Sequence, residues 1–413
     1  MERAELSRLL RGVAGARSTV QICVGAADAE AFKCEFANAV AGSGDIFLCR
    51  PAWGKLEKNQ VEVLRRASGQ LPSGARGWLM IPTGGTSGQV RFARHDGETI
   101  ASSIRGFAEH FGVSPINSVG VLPLHHVSGL LAWLRSVLTG GSYLHFDWKA
   151  LETGALPLVP RTAEGWFVSL VPTQLERLMK RPLAVEWLKK FRGVLIGGAP
   201  AWPDLLDRAA TARVPLALSY GLTETAAMVV ALRPEEFLAG ARNSGSALAH
   251  AQIGVTAEGA VWVAGNSVFR GYYPERRTAG VFETADAGWL DPRGYLTVTG
   301  RRDAVIITGG EKVQPGEVES VLRDTGEFSE VVVLGVPDAD WGQMVVAAYP
   351  AAHRPRLKRV ADAMTRKLAP HKRPKFFVPL EDWPGNAQGK INRAQVTTLV
   401  VATIHAGSNP PFA

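Results

Sequence analysis

At 413 residues the chain is too long for one compact core and suits two or three domains. Hydrophobic residues make up 46% and charged residues 20%, which excludes wholesale disorder, a collagen-like repeat and a membrane-embedded bundle. The net charge of +8 is confined to one stretch: nine Lys or Arg between His353 and Lys375 face the single acid Asp362, and the rest of the chain is neutral. Two readings of that stretch stay open, a solvated helix face and a docking surface for an anionic ligand. No nucleic-acid partner is expected, because neither zinc-finger spacing nor an aromatic-interleaved basic motif accompanies the charge. The start at Met1 lacks a basic head followed by an apolar run, and no stretch offers about 20 apolar residues in a row, so neither a leader nor a membrane span is expected. Cys23, Cys34 and Cys49 form no C-x-x-C pair, which argues against a disulfide framework or zinc site and for a reducing cytoplasm.

In chain order, residues 77–81 read as a strand entering a glycine-rich turn, 96–111 as a helix, 118–122 as a strand and 129–138 as a helix. Strands follow at 166–170, 194–196 and 214–219, the last ending at Tyr220-Gly221. Apolar runs alternating with amphipathic segments predict an α/β architecture of parallel strands and crossover helices. From about 245 the runs shorten, with turns at Glu258-Gly259, Ala287-Gly288 and Pro292-Arg293-Gly294, which predicts a β-rich subdomain to about 300. The alternation then restarts: helices at 317–323 and 355–368 and extended runs at 330–335, 343–349 and 375–379 predict a small α+β domain. The expected division is 1–300 and 301–413, with a loose tail after Ile404. Ligands of open α/β sheets gather beyond the carboxyl ends of strands, so the loops at Thr83, Gly197 and Tyr220 are where chemistry is expected.

Thr83-Gly84-Gly85-Thr86-Ser87-Gly88 follows a predicted strand directly, and its backbone N–H groups and hydroxyls could form a nest for phosphate oxygens. It lacks the Lys-Ser/Thr ending of the Walker loop, and the same residues would suit a plain hairpin. Arg91, three residues past Gly88, supplies a cation. In Ser219-Tyr220-Gly221-Leu222-Thr223-Glu224-Thr225, the Tyr could stack on a base, Thr223 could bond a phosphate and Glu224 could hold Mg²⁺. The competing view is a helix N-terminus capped by Thr223. Further runs lie at Thr284-Ala285-Asp286, from Gly300-Arg301-Arg302-Asp303, at Gly309-Gly310, and at Gly389-Lys390-Ile391-Asn392-Arg393.

In this order the motifs resemble those of the acyl-adenylate-forming superfamily over roughly residues 77–393. The resemblance implies an adenylate-forming enzyme fold: a large N-terminal α/β domain with a β-rich subdomain, and a small mobile α+β C-terminal domain. It implies that Thr83 to Gly88 and Arg91 hold ATP phosphates, and that Gly197, Gly198, Ala199, Tyr220 and Gly221 flank adenine. Thr223 would contact the α-phosphate, Glu224 would bind Mg²⁺, and Asp286 with Arg301 would hold the ribose. Asp303 would be the hinge, Gly309 and Gly310 would line the CoA tunnel, and Lys390 would be the mobile lysine of adenylation. The phosphate loop departs from the family pattern: Gly84 replaces Ser, Val90 replaces Pro and Arg91 replaces Lys.

Leu122-Pro123-Leu124-His125-His126-Val127-Ser128-Gly129, the Gly-Gln-Val-Arg ending of the phosphate loop and the short chain look most like the o-succinylbenzoate–CoA ligases of menaquinone and phylloquinone biosynthesis, especially their cyanobacterial-type branch. That resemblance implies ATP, Mg²⁺ and CoA as cofactors and co-substrates, an aromatic dicarboxylate as substrate, and His126, Ser128 and Arg135 in the acyl pocket. His126 is equally readable as a core histidine and Arg135 as a snorkelling surface arginine. Another aryl- or acyl-CoA ligase, or a non-catalytic nucleotide- or nucleic-acid-binding protein, remains the alternative.

Overall fold

The computed structural model describes residues 3–10, 22–24, 28–68, 77–83, 90–160, 162, 164–278, 280–384 and 391–405. Its centre is a seven-stranded sheet. The strands Tyr143–His145, Asn117–Gly120, Trp166–Leu170, Gly193–Ile196 and Leu216–Leu222 lie side by side and parallel, and Ala227–Ala231 and Ser246–Ala247 extend the sheet antiparallel. The short all-apolar runs of the sequence are these central strands: Gly193–Ile196 is buried throughout, as expected of a sheet covered on both faces. The strand predicted at 214–219 runs on to Leu222, so Tyr220 lies inside the strand and not in the loop after it.

Beside it stands a four-stranded sheet of Ile22–Val24, Ile46–Leu48, Leu79–Pro82 and Phe92–His95, in that order, the last pair antiparallel. The helix Gly97–Phe111 follows at once. Asp96 caps it in a reciprocal box with Thr99, and Gly112 ends it in the left-handed region at φ 57°. The helix Val127–Thr139 packs against it, with Phe36, Trp133, Leu130 and Leu134 in one core. The β-rich part is an antiparallel four-stranded sheet of Ala251–Val255, Ala260–Gly265, Phe282–Leu290 and Leu296–Arg301.

From Ile306 onward a separate five-stranded sheet carries its own core, Val318, Leu322, Val345 and Phe377 on one face and Val346, Val378, Val396 and Val400 on the other. It meets the larger body through Arg177, whose Nη2 lies 2.9 Å from Glu330, and through Arg323, stacked 5.2 Å from the Trp202 ring. Gly309 and Gly310, both at positive φ (57° and 83°), are the two-residue turn between Ile306–Thr308 and Glu311–Val313, a conformation that only glycine adopts without strain. The tail after residue 405 lies outside the described residues.

The basic stretch is less naked than its sequence suggests, because chain folding brings it acids from elsewhere. Lys372 Nζ lies 2.8 Å from both carboxylate oxygens of Glu317, Lys367 pairs with Asp324, and Arg356 and Arg359 share Glu327. Only Arg354, Lys358, Arg366, Arg373 and Lys375 are without an ion pair among the described residues. No helix among those residues is long and apolar enough to cross a membrane, and Cys34 is a free thiol.

Candidate active site

The antiparallel pair Leu79–Pro82 and Phe92–His95 flanks the glycine-rich segment on both sides. Thr83 N–H donates to Arg91 O at 2.9 Å, and Val90 N–H to Gln60 Oε1 at 2.8 Å. Gly84, Gly85, Thr86, Ser87 and Gly88 lie outside the described residues, as does Lys390.

Across the central sheet, the peptide after Gly193–Ile196 comes close to Ser219. A Cβ on Gly197 would sit 2.8 Å from Ser219 Oγ, and Gly198 takes φ +80°. Ala199 continues that loop beside the Tyr220 strand. Tyr220 is 9% exposed and its hydroxyl donates to Asp286 Oδ2 at 2.9 Å. Arg301 Nη1 lies 3.9 Å from the other oxygen of Asp286, and Arg301 also forks onto Asp303. Tyr220, Asp286, Arg301 and Asp303 thus form one chain of contacts, supplied by the parallel sheet and the β-rich sheet together.

Three residues past Tyr220 the strand closes in a single 3₁₀ turn, Thr223–Thr225, with Leu222 at its cap position. No α-helix begins there, so the capping role considered for Thr223 is not what the residue does. The turn is strained: Ala226 and Ala227 both sit at positive φ, 51° and 73°, unusual for residues with a Cβ. It is held from outside. Ser103 Oγ donates to Ala226 O at 2.8 Å, and His95 Nε2 lies 2.8 Å from Thr223 O. A carbonyl only accepts, so Nε2 carries the hydrogen and the unprotonated Nδ1 lies 3.1 Å from the Thr99 hydroxyl. Burial pushes the His95 pKa down to about 4, which keeps the ring neutral.

The Thr223 hydroxyl makes no hydrogen bond among the described residues. Glu224 accepts from the Tyr272 hydroxyl at 2.7 Å on Oε1, while Oε2 has no such partner. The Arg91 guanidinium lies 3.9 Å from the centre of the Tyr272 ring. Arg301 acts electrostatically on Tyr272 and on Glu224 alike, which ties the two groups of contacts into one site. His95, Thr99, Ser103 and Tyr272 escaped the sequence reading.

On the neighbouring helix Val127–Thr139, His126 stands at the cap position, its ring 4.7 Å from that of His125, and Ser128 lies half-buried in the first turn. Arg135 is 3% exposed, so it does not snorkel. Its guanidinium stacks 4.3 Å from the Phe107 ring, its Nε has no hydrogen-bond partner among the described residues, and burial pulls its pKa down to about 10.

A family model of AMP-binding enzymes matches residues 28–273, and one of the AMP-binding enzyme C-terminal domain matches residues 317–390. The chain belongs to the AMP-binding enzyme family. A 2-succinylbenzoate–CoA ligase of Enterococcus faecalis is 32% identical over 332 residues, 76% of this chain and 68% of the relative. One of Oceanobacillus iheyensis is 36% identical over 286 residues, 66% of this chain and 59% of the relative, so the matched part is less than two thirds of that protein. Among solved structures, o-succinylbenzoate CoA synthetase of Bacillus subtilis in complex with the acyl-adenylate intermediate OSB-AMP superposes with a TM-score of 0.76 at 23% identity. The match covers 96% of this chain and 91% of that one, and the two share the fold.

One consequence for this AMP-binding enzyme concerns Asp286. Burial, the largest effect, outweighs the Tyr220 hydroxyl and the Arg301 charge, so its carboxyl titrates above the usual range. A carboxyl raised in the fold holds its proton to higher pH than in the unfolded chain, so stability falls as pH rises through that window. Asp286→Asn is therefore expected to raise Tm at pH 8 by about 1–2 °C, with a smaller gain at pH 5. Thermal unfolding at the two pH values checks it, and a gap that is equal at both, or absent, rejects the assignment.

Proposed function

We propose that the chain is an ATP-dependent acid–thiol ligase that converts 2-succinylbenzoate, ATP and CoA to the CoA thioester, AMP and pyrophosphate through an acyl-AMP intermediate. The observation that carries the substrate class is Arg135: a fully buried cation with no ion pair among the described residues calls for an anion. A substrate with two carboxylates supplies one, because the second carboxylate stays ionised while the first reacts. The names of the relatives point to the same acid. The free thiol of Cys34 suits a reducing cytoplasm.

In the first half-reaction a carboxylate oxygen attacks the α-phosphorus and pyrophosphate departs. In the second, the CoA sulfur attacks the acyl carbon and AMP leaves. Neither step needs a covalent bond to the protein, so catalysis rests on positioning and on cations facing the charge that builds on phosphate oxygens. Tyr220 would flank adenine beside Gly197, Gly198, Ala199 and Gly221, Asp286 and Arg301 would hold the ribose hydroxyls, and the open Thr223 hydroxyl would meet the α-phosphate. Thr83, the loop residues 84–88 and Arg91 would meet the other phosphates.

Glu224 fits Mg²⁺: its Oε2 is uncommitted, and magnesium keeps most of its waters and takes one or two carboxylates plus substrate phosphates. Among the described residues there is no cluster of three or more ligating side chains, and that mode of binding needs none. When bound, the ion would neutralise phosphate charge. His126 and Ser128 would line the acyl pocket with Arg135. Gly309 and Gly310 would face the pantetheine arm after rotation about Asp303. The unpaired cations Arg373 and Lys375 are candidates for the CoA phosphates.

Pyrophosphate release measured over a panel of aromatic mono- and dicarboxylic acids tests the proposal. Release that depends on 2-succinylbenzoate supports it. Release with monocarboxylates alone would reassign the acid, and no release with any acid would end the ligase reading.

A further inference from the structure

We propose that Tyr272 is a positioning residue that presets the Glu224 carboxylate for a divalent cation and couples it to Arg91 at the edge of the phosphate loop. The proposal rests on the nucleotide reading above. The segment around Tyr272 is zipped onto the strand Phe92–His95: Arg270 N–H donates to Arg94 O, Arg94 N–H to Gly271 O and Tyr273 N–H to Phe92 O, at 2.7, 3.0 and 2.9 Å. Tyr272 stands opposite Ala93, so it is the diagonal neighbour of Arg91, which explains why that guanidinium lies on its ring.

The same segment grips Glu224 twice. Phe269 N–H donates to its backbone oxygen at 2.8 Å, and the Tyr272 hydroxyl donates to Oε1 at 2.7 Å. The Phe269 ring meets the Tyr272 ring edge-on at 4.8 Å and fixes its tilt. One side chain therefore holds the carboxylate with its oxygen and the arginine with its ring face. A bond to Oε1 leaves Oε2 as the metal-facing oxygen, in one rotamer, on a turn whose backbone is already strained at Ala226. Tyr272 touches no reacting atom in this account; it acts through Glu224 and Arg91.

Outer partners of ligating carboxylates typically change metal affinity by about 10–100-fold. Tyr272→Phe keeps the ring under Arg91 and removes the hydroxyl. It is expected to weaken Mg·ATP binding about tenfold, measured by calorimetry, and to leave metal-free ATP binding at the wild-type value. Tyr272→Leu removes the ring too and should weaken both forms. In the Glu224→Gln background, where the charge is already lost, Tyr272→Phe should add nothing. Thermal unfolding of each variant separates loss of fold from loss of positioning. If Tyr272→Phe binds both nucleotide forms as wild type does, or weakens both equally, the positioning role is wrong while the nucleotide reading stands. If the wild-type protein binds neither form, the nucleotide reading fails and the proposal with it.

Discussion

Lys390→Ala is expected to lose adenylation by about 10²–10³-fold, as removal of one preorganised cationic donor does, yet to convert supplied acyl-adenylate and CoA to thioester at a near wild-type rate. Lys390 lies outside the described residues; on either side of the undescribed stretch Asn392 N–H donates to Pro384 O at 2.8 Å. Under the proposed scheme Lys390 would reach the α-phosphate only while its domain faces the nucleotide. Among the described residues, contacts between the two parts include Arg177 with Glu330 and Arg323 over the Trp202 ring, and the proposed scheme requires these to break when the C-terminal domain turns away. Asp303→Pro should do the reverse. It lies in the turn Arg302–Ala304, and a proline there fixes one backbone angle, so pyrophosphate release should persist while thioester formation falls. Asp303 also anchors Arg301, and Asp303→Ala, which loses the carboxylate but not the backbone freedom, separates the two effects. Equal slowing of both half-reactions by Lys390→Ala and by Asp303→Pro would reject the two-orientation scheme.

The central strands were legible where burial on both faces leaves them mostly apolar: Trp166–Leu170, with Ser169 its one polar residue, appears where its apolar run predicts, and Gly193–Ile196 within one residue of it. The helix after Asp96 was legible because capping is local chemistry, a carboxylate three residues before Thr99 and a glycine at its end. Phe92–His95 was not read as a strand. It contains Arg94, which is 1% exposed with its guanidinium 4.8 Å from the Tyr273 ring, and pattern reading has no term for a partner 179 residues away. The same limit applies to the site. Tyr220, Thr223, Glu224, Asp286 and Arg301 were found through their motifs, whereas His95 and Tyr272 do their work by touching Thr223 and Glu224 across more than 40 residues of sequence, which no spacing encodes. The pairing of the basic stretch was hidden for a related reason: Glu317, Asp324 and Glu327 meet four of its nine cations from outside the window that was counted.

Arg135→Leu should separate stability from function. A guanidinium buried without a carboxylate is disfavoured by desolvation, which is why burial draws its pKa down to about 10. A leucine, apolar and shorter, removes that penalty, so Tm is expected to hold or rise. If the second carboxylate of the substrate is what the guanidinium awaits, the same change leaves that anion buried and unpaired. Truncating one member of such a pair typically costs several kcal/mol, so KM for 2-succinylbenzoate should rise by about 10²-fold. KM for ATP should stay where it is, because Thr223, Glu224 and Arg91, the groups proposed to meet the phosphates, are untouched. Aromatic monocarboxylates, which bring no second charge, should be used as well as before or better, turning the variant's preference over. Arg135→Lys keeps the charge but not the planar fork, and should recover only part of the loss. Should Arg135→Leu instead raise both Michaelis constants equally, or lower Tm and leave KM for the dicarboxylate alone, Arg135 is a packing residue against Phe107 and the substrate's distal anion is held elsewhere.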